Sequence, residues 1–353
     1  MRIAFDVSPL SHPLLGIGNY MRGSLGGLSE AAAGEHEIVA FAPTSIRGPE
    51  RIRAALDGIG VELRTWRLPA SHAVRTAWSR LGHPSVERLL GDVDVLHFSD
   101  WMYPPQRAGV RATTIHDLVP ARFPEWVEPE TLRLHGRKYE NAAATCDRIF
   151  ANSSFTAWDV VERLGVPEER VRVAYPGIDP RFSPEGEAAD LGGPYVLAVS
   201  TLEPRKNLPA LVAAFGLLRQ RHPELTLALA GLEGWEPEPL AAEGVRLLGF
   251  VSDDELARLY RGAAAFAYPS RFEGFGIPVV EALASGVPAV VSSHPSLDEA
   301  SGEAALRADP DDPEAFAAAL EQALEAPRGT GVEHASRFTW LACGEAVLAG
   351  YLD

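Results

Sequence analysis

Ala263-Ala264-Ala265-Phe266-Ala267-Tyr268-Pro269-Ser270-Arg271-Phe272-Glu273-Gly274-Phe275-Gly276-Ile277-Pro278-Val279-Val280-Glu281-Ala282 runs from an apolar segment through a glycine-bracketed loop into a helix start. Ala263–Tyr268 reads as a buried strand. Pro278 suits the first position of a helix, where no backbone N–H is needed, and Gly286 and Pro288 stop it. Gly274 and Gly276 let bare backbone approach a ligand closely. The free N–H groups there, with the helix dipole, favour partial negative charge such as hydroxyl oxygens or phosphate. Glu273 falls in the loop and Glu281 about one turn into the helix. Both carboxylates can then face one cleft, at opposite ends of a ligand longer than a single sugar. A capping Glu273 and a solvated Glu281 fit the spacing equally well.

The same strand–loop–helix unit recurs along the chain. Ile3–Val7, Ile38–Phe41, Val61–Leu63, Val93–Phe98, Ala112–His116, Arg148–Ala151 and Val171–Ala174 are strand patterns, with a long helix expected over Glu130–Ala144. Residues 175–194 are rich in glycine, proline and polar side chains and mark a domain boundary. A second series follows at Tyr195–Val199, Leu225–Ala230, Val245–Leu248, Ala263–Tyr268 and Ala289–Val291. Short apolar runs alternating with helices specify an α/β architecture with parallel sheets. The 353 residues exceed one compact core. We therefore expect two doubly wound, Rossmann-like domains, 1–180 and 181–353, facing a cleft. Ligands of such sheets bind at strand carboxyl ends. The loops at 16–18, 116–117, 200–207 and 270–277 all fall there. The Ala/Glu-rich stretch 314–326 reads as a surface helix.

Composition narrows the function. Hydrophobic content is 46% and charged content 23%, as in ordinary globular proteins, and no apolar run reaches the length of a membrane span. The sequence enters a strand pattern at Met1–Asp6, so no signal peptide is expected. Cys146 and Cys343 lack metal-ligand spacing and read as buried thiols of a cytoplasmic protein. Nearly all of the formal charge of −16 falls after residue 178, which argues against nucleic-acid binding. Residues 47–88 go the other way. They carry Arg47, Arg51, Arg53, Arg64, Arg67, Arg75, Arg80 and Arg88 against Glu50, Asp57, Glu62 and Glu87, with Trp66 and Trp78 among them. A solvated face is the plainer reading. A surface for an anionic acceptor, or peripheral contact with the inner face of a membrane, is the sharper one.

Gly16-Ile17-Gly18-Asn19-Tyr20 follows the first strand and can admit phosphate to a helix N-terminus, or be a plain turn. As a dinucleotide fingerprint it fails, because Met21 holds the third glycine position and the second strand ends without an acid. Glu203-Pro204-Arg205-Lys206-Asn207-Leu208-Pro209 offers Asn207 as a helix cap, Pro209 just inside, and two cations where a diphosphate can lie. Lys206 is one of only two lysines, with Lys138. His116-Asp117 ends a strand. His116 can hydrogen-bond a sugar hydroxyl or act as a base, or be structural with Asp117 fixing its tautomer. Ser252…Glu255 is a capping box and Asp312 a helix cap. Asp92-Val93-Asp94 opens a strand rather than ending one, and no zinc spacing, P-loop or nucleophile elbow occurs.

Taken together, these residues make the chain resemble the retaining glycosyltransferases of family 4, which have the GT-B fold. The resemblance spans nearly the whole length. It rests on Glu203–Asn207 and the Glu273…Glu281 pair, supported by Gly16–Tyr20, His116-Asp117, Ala151-Asn152-Ser153-Ser154 and Arg337-Phe338-Thr339-Trp340. It implies that Arg205 and Lys206 bind the diphosphate of a nucleotide-sugar and that Glu281 holds the ribose hydroxyls. Glu273 and the amides of Gly274, Phe275 and Gly276 would hold the donor sugar. His116 would approach its anomeric region or C6 hydroxyl, and Gly16 and Gly18 the phosphate or acceptor side. The Phe250-Val251 backbone would line the base pocket. The last helix, about 339–353, would cross back to the first domain. Ser200 stands where many relatives have glycine. The family further implies a metal-independent, cofactor-free hexosyltransferase with a saccharide or lipid-linked acceptor. The Gly16–Tyr20 and His116–Trp126 stretches look most like mannosyltransferases of surface polysaccharide, hence GDP-mannose. An epimerase or phosphorylase on the same fold, a nucleotide-sugar-binding protein without turnover, and a nicotinamide oxidoreductase are the alternatives.

Overall fold

The computed structural model describes residues 1–14, 16–99, 102–231 and 240–353. It divides into two compact units, residues 1–177 with 338–353, and residues 178–337. The last helix, Trp340–Leu352, belongs to the first unit.

In the first unit seven parallel strands form one sheet: β1 (Arg2–Asp6), β2 (Glu37–Thr44), β3 (Glu62–Arg67), β4 (Val95–Phe98), β5 (Val110–Ile115), β6 (Arg148–Ala151) and β7 (Val171–Val173). Their order is β3-β2-β1-β4-β5-β6-β7. The order reverses between β1 and β4, and their carboxyl ends flank a topological switch point. Ile3, Phe5, Ala40, Val95 and Phe150 are buried in a core that also takes Leu25 and Leu28 of the helix Gly16–Ala31. Cys343, Val347 and Tyr351 of the last helix close that core. Thr339 caps this helix, its Oγ1 accepting the Ala342 N–H at 3.1 Å. At its far end the Tyr351 hydroxyl lies 2.6 Å from Nδ1 of the buried His97.

The second unit has six parallel strands: β8 (Tyr195–Val199), β9 (Thr226–Ala230), β10 (Val245–Gly249), β11 (Ala265–Tyr268), β12 (Ala289–Ser292) and β13 (Ala305–Ala308). Their order is β10-β9-β8-β11-β12-β13, with the switch point between β8 and β11. Every residue of β11 and β12 is buried, as a strand covered on both faces requires. Two features depart from the sequence reading. β13 was not expected, because Arg307 interrupts its apolar pattern. It is an edge strand, and Arg307 reaches out to Asp298 at 2.7 Å. The helix Pro313–Glu325 is not merely a surface helix. Phe316, Leu320 and Ala323 bury one face among core residues that include Leu211 and Phe215. Asp312 caps it by accepting the N–H groups of Glu314 and Ala315, both at 3.0 Å.

Candidate active site

In the second unit the candidate residues follow the two strands at the switch point. β8 leads through a short 3-10 turn, Pro204–Lys206, to the helix Leu208–Arg219. β11 leads through residues 269–276 to the helix Ile277–Ala284, with Pro278 in its first turn. The loops are tied together by the Arg271 N–H, which donates to the Arg205 carbonyl at 2.8 Å. Glu273 lies between the cations. Lys206 Nζ donates to Glu273 Oε1 at 2.5 Å and to the Tyr268 hydroxyl at 2.9 Å. Arg205 Nη1 donates to Glu273 Oε2 at 3.0 Å, and its Nε to Glu203 Oε2 at 2.9 Å. Lys206 and Glu273 are buried.

Burial alone would push Glu273 up. Lys206 and Arg205 outweigh it and hold the carboxyl well below the usual range. Burial, with Arg205 alongside, lowers Lys206, and Glu273 opposes that shift. The pair is therefore an ion pair at neutral pH. With Glu203 included, two cations meet two anions, so the cluster is formally neutral.

Gly276 turns the loop into its helix at φ +107°, where a side chain would be strained. A Cβ there would also meet Leu297 Cδ2 at 2.6 Å. The Glu273 carbonyl is held by the Ser296 hydroxyl at 2.9 Å. Glu281, a turn into the helix, is not solvated. It is buried, and Tyr260 Oη lies 3.1 Å from its Oε2. Tyr260 Oη also lies 3.2 Å from the Pro278 carbonyl, so its one proton faces two acceptors. Burial raises Glu281 to about 8; the Tyr260 bond works against this, and Asp253 and Asp179 add to it. Phe250 is exposed and Val251 partly so, just past the end of edge strand β10.

Asn207 departs from expectation. It sits at the N-cap position with φ +53° but does not cap by its side chain. Its amide instead donates to the Pro310 carbonyl at 2.5 Å, which pins the turn that carries Arg205 and Lys206.

The first unit arranges its candidates differently. Gly16 and Gly18 are not a loop before the helix but part of its first turn. A Cβ on Gly16 would meet nothing within 4 Å. Tyr20, on the same helix, packs edge-on against His116 with ring centroids 4.8 Å apart. The Gly16–Tyr20 turn and His116 thus lie together. Asp117 closes the next turn, its Oδ1 accepting the Val119 N–H at 3.0 Å. Burial, then Lys138, His97 and His135, push His116 down to about 3, so it is neutral at physiological pH. Lys138 is buried and donates to the Thr114 carbonyl at 2.8 Å. Thr114 Oγ1 lies 3.0 Å from His97 Nε2.

Sequence reasoning missed Tyr268 and Tyr260, which hold Lys206 and Glu281. Tyr268 ends an apolar run and reads as core, and Tyr260 lies between Leu259 and Arg261 in a charged helix with no local sign of a partner. Residues 47–88 do not present one basic face. Arg75 and Trp78 are buried, and Arg64 pairs with Glu62 at 2.6 Å. Both cysteines are buried free thiols. Among the described residues no helix is long and apolar enough to cross a membrane.

A family model described as Glycosyltransferase Family 4 matches residues 24–182, and one described as Glycosyl transferases group 1 matches residues 181–339. The chain belongs to glycosyltransferase family 4. The O-antigen chain mannosyltransferase B of Escherichia coli is 28% identical over an alignment covering 99% of each chain. Two solved structures share the fold. Sucrose-phosphate synthase from Thermosynechococcus elongatus aligns over 99% of this chain and 98% of its own, with TM-score 0.70 and 19% identity. Anabaena HepE, solved with UDP and glucose, aligns over 100% and 99%, with TM-score 0.71 and 17% identity. The family 4 chain is thus a glycosyltransferase with a GT-B fold.

Proposed function

We propose that this glycosyltransferase moves a hexose, mannose by preference, from a nucleoside-diphosphate sugar to a saccharide or lipid-linked acceptor, with retention of anomeric configuration. The observation that carries the reading is the Arg205–Glu273–Lys206 cluster, built from the two loops at the switch point of one sheet. The mannose preference is supported by the Escherichia coli relative, an O-antigen chain mannosyltransferase.

In this reading residues 181–353 hold the donor and residues 1–180 the acceptor. Arg205 and Lys206 bind the diphosphate and stabilise the charge of the departing group. Glu281 takes the ribose hydroxyls. Glu273 and the amides of Gly274, Phe275 and Gly276 take the sugar hydroxyls, and Phe250-Val251 flank the base. His116, neutral, offers a hydrogen bond to the donor's anomeric region or C6 hydroxyl. Gly16 and Gly18 open a path for phosphate or acceptor. The donor phosphate takes the acceptor proton on the face that the leaving group vacates, so no protein nucleophile is needed. Two cations and a helix N-terminus supply the charge stabilisation, which makes the reaction metal-independent in this account. One well-aimed donor in a dry site is worth about 3–4 kcal/mol.

A thermal-shift screen of UDP-, GDP-, ADP- and dTDP-sugars tests the donor. A ligand at about 100 times its Kd raises stability by about 2.7 kcal/mol. GDP-mannose is expected to shift the melt most and to be consumed only with an acceptor. Conversion of donor incubated alone would instead mark an epimerase, and binding without product a non-catalytic binder.

A narrower proposal concerns membrane contact through residues 47–88. It is favoured by exposed Ile46 and Leu81, at 64% and 65% exposure, near the exposed Arg47 and Arg80. Co-sedimentation with anionic but not neutral vesicles is expected, and equal recovery with both would refute it.

A further inference from the structure

The first unit holds a small cavity between two helices. Thr76, Ser79 and Arg80 of the helix Ser71–Leu81 line it, with Leu134 and Arg137 of the helix Pro129–Thr145 and with Tyr103. Residues three and four apart share a helix face, which brings Thr76 beside Ser79 and Arg80, and Leu134 beside Arg137. Ser79 ties the wall together. Its hydroxyl donates to the Arg75 carbonyl at 3.0 Å and accepts the Tyr103 N–H at 3.2 Å. The cavity volume is about 10 Å³, room for one water-sized group. It reaches the surface beside Arg80, which is exposed.

Two of these lining residues carry unsatisfied groups. Arg137 Nη1 and Thr76 Oγ1 are both buried and have no hydrogen-bond partner among the described residues. Buried polar groups left unpaired are costly and call for an explanation. Charge is unbalanced as well. Arg133, a turn before Arg137, pairs with Glu130 at 3.8 Å, but neither Arg80 nor Arg137 makes an ion pair among the described residues. Glu140, three residues past Arg137, is exposed. Burial and then Glu140 raise the Tyr103 phenol, which keeps its proton and can donate it. The walls thus offer guanidinium and hydroxyl donors and no carboxylate. A water would fill the space yet leave two guanidinium charges unanswered. An oxyanion answers both: one oxygen enters the cavity, and the rest of the group stays at the mouth beside Arg80.

We propose that this cavity is a phosphate-binding site, in which one phosphoryl oxygen sits against Arg137 and Thr76 while Arg80 faces the rest of the group. Arginine suits the task, because its planar fork matches phosphate geometry and its hydrogen bonds to an anion are stronger than neutral ones. The phosphate is a free ion or part of a lipid headgroup; the recognition chemistry is the same. The site shares no residue with the donor cluster, and the inference does not rest on it.

The test uses the full chain carrying Lys206→Ala, so that the donor cations do not compete for the ion. Melting is followed across an inorganic phosphate series, with chloride at equal ionic strength as control. Phosphate is expected to raise the melting temperature saturably and chloride to leave it unchanged. Adding Arg137→Gln or Arg80→Gln should weaken the apparent affinity about tenfold or more, and Thr76→Val a few-fold. Arg80 is exposed, so Arg80→Gln decides the matter if Arg137→Gln does not fold. Co-sedimentation with phosphatidic acid vesicles then separates the sources. Binding that inorganic phosphate displaces and Arg80→Gln loses marks a headgroup, and a phosphate response without vesicle binding marks a free phosphate. The proposal is overturned if the Lys206→Ala chain shows no saturable response to phosphate, or if the response is the same in Arg80→Gln as in its parent.

Discussion

The carboxyl ends of the two sheets have like strand order around their switch points, yet they arrange charge differently. In the second unit Arg205, Lys206, Glu203 and Glu273 are bound to one another in a charged network. In the first unit His97 and His116 are both held neutral, and both are depressed to about 3. The contrast matches two tasks in the proposed reaction. A departing diphosphate needs fixed charge that does not reorganise. A sugar hydroxyl needs a neutral hydrogen-bond partner and surroundings that exclude water.

The largest effect expected from this contrast is on turnover. Lys206→Ala or Arg205→Ala should lower kcat at least about a hundredfold. His116→Gln, which removes one neutral hydrogen bond, should lower it only about tenfold. Equal losses in steady-state assays of both sites would erase the distinction.

Next in size is the response of Glu281 to pH. Its folded pKa is raised to about 8 from an unfolded value near ~4.3. The folded state thus binds the extra proton between those values. Stability falls as pH rises through that window, and the penalty is complete above about 8. Glu281→Gln should therefore raise the melting temperature at pH 8 and leave it unchanged at pH 4, while weakening donor binding. Glu273 has the opposite sign. Its folded pKa is lowered, so its stabilisation is full above about 4.3 and is lost as pH falls further. Melting curves across pH 3–9 for both glutamine variants separate the two.

The first unit should show no such dependence at physiological pH. With His116 neutral, the kcat/KM profile should carry no His116 inflection between pH 5 and pH 8. An acid limb near pH 6 that disappears in His116→Gln would contradict it.

The smallest effect expected is at the rim of the cluster. Glu203→Gln releases Arg205 from one partner at a part-exposed pair. It should tighten diphosphate binding only a few-fold, since such pairs are worth about 0.2–1 kcal/mol.

Much of this was readable from sequence, for physical reasons that differ by residue. Strands such as Tyr195–Val199 were legible because both faces are covered and the run is wholly apolar. Arg205, Lys206 and Glu273 were legible because charge at a strand end is conspicuous. Their mutual contacts were not, since a loop's path depends on anchors such as Asn207 to Pro310, far along the chain. The neutrality of His116 depends first on its burial and then on Lys138, from the helix Pro129–Thr145, and no local pattern encodes either. β13 was illegible because an edge strand with a solvent-reaching arginine lacks the apolar run.

In the proposed reaction the Arg205–Lys206–Glu273 cluster grips the diphosphate rather than merely bracing the loop. Titration calorimetry of the native chain and Lys206→Ala with GDP and GMP addresses it most directly. The native chain should bind GDP far more tightly than GMP, and Lys206→Ala should lose most of that difference while still binding GMP. A variant that keeps the full preference for GDP would contradict the claim.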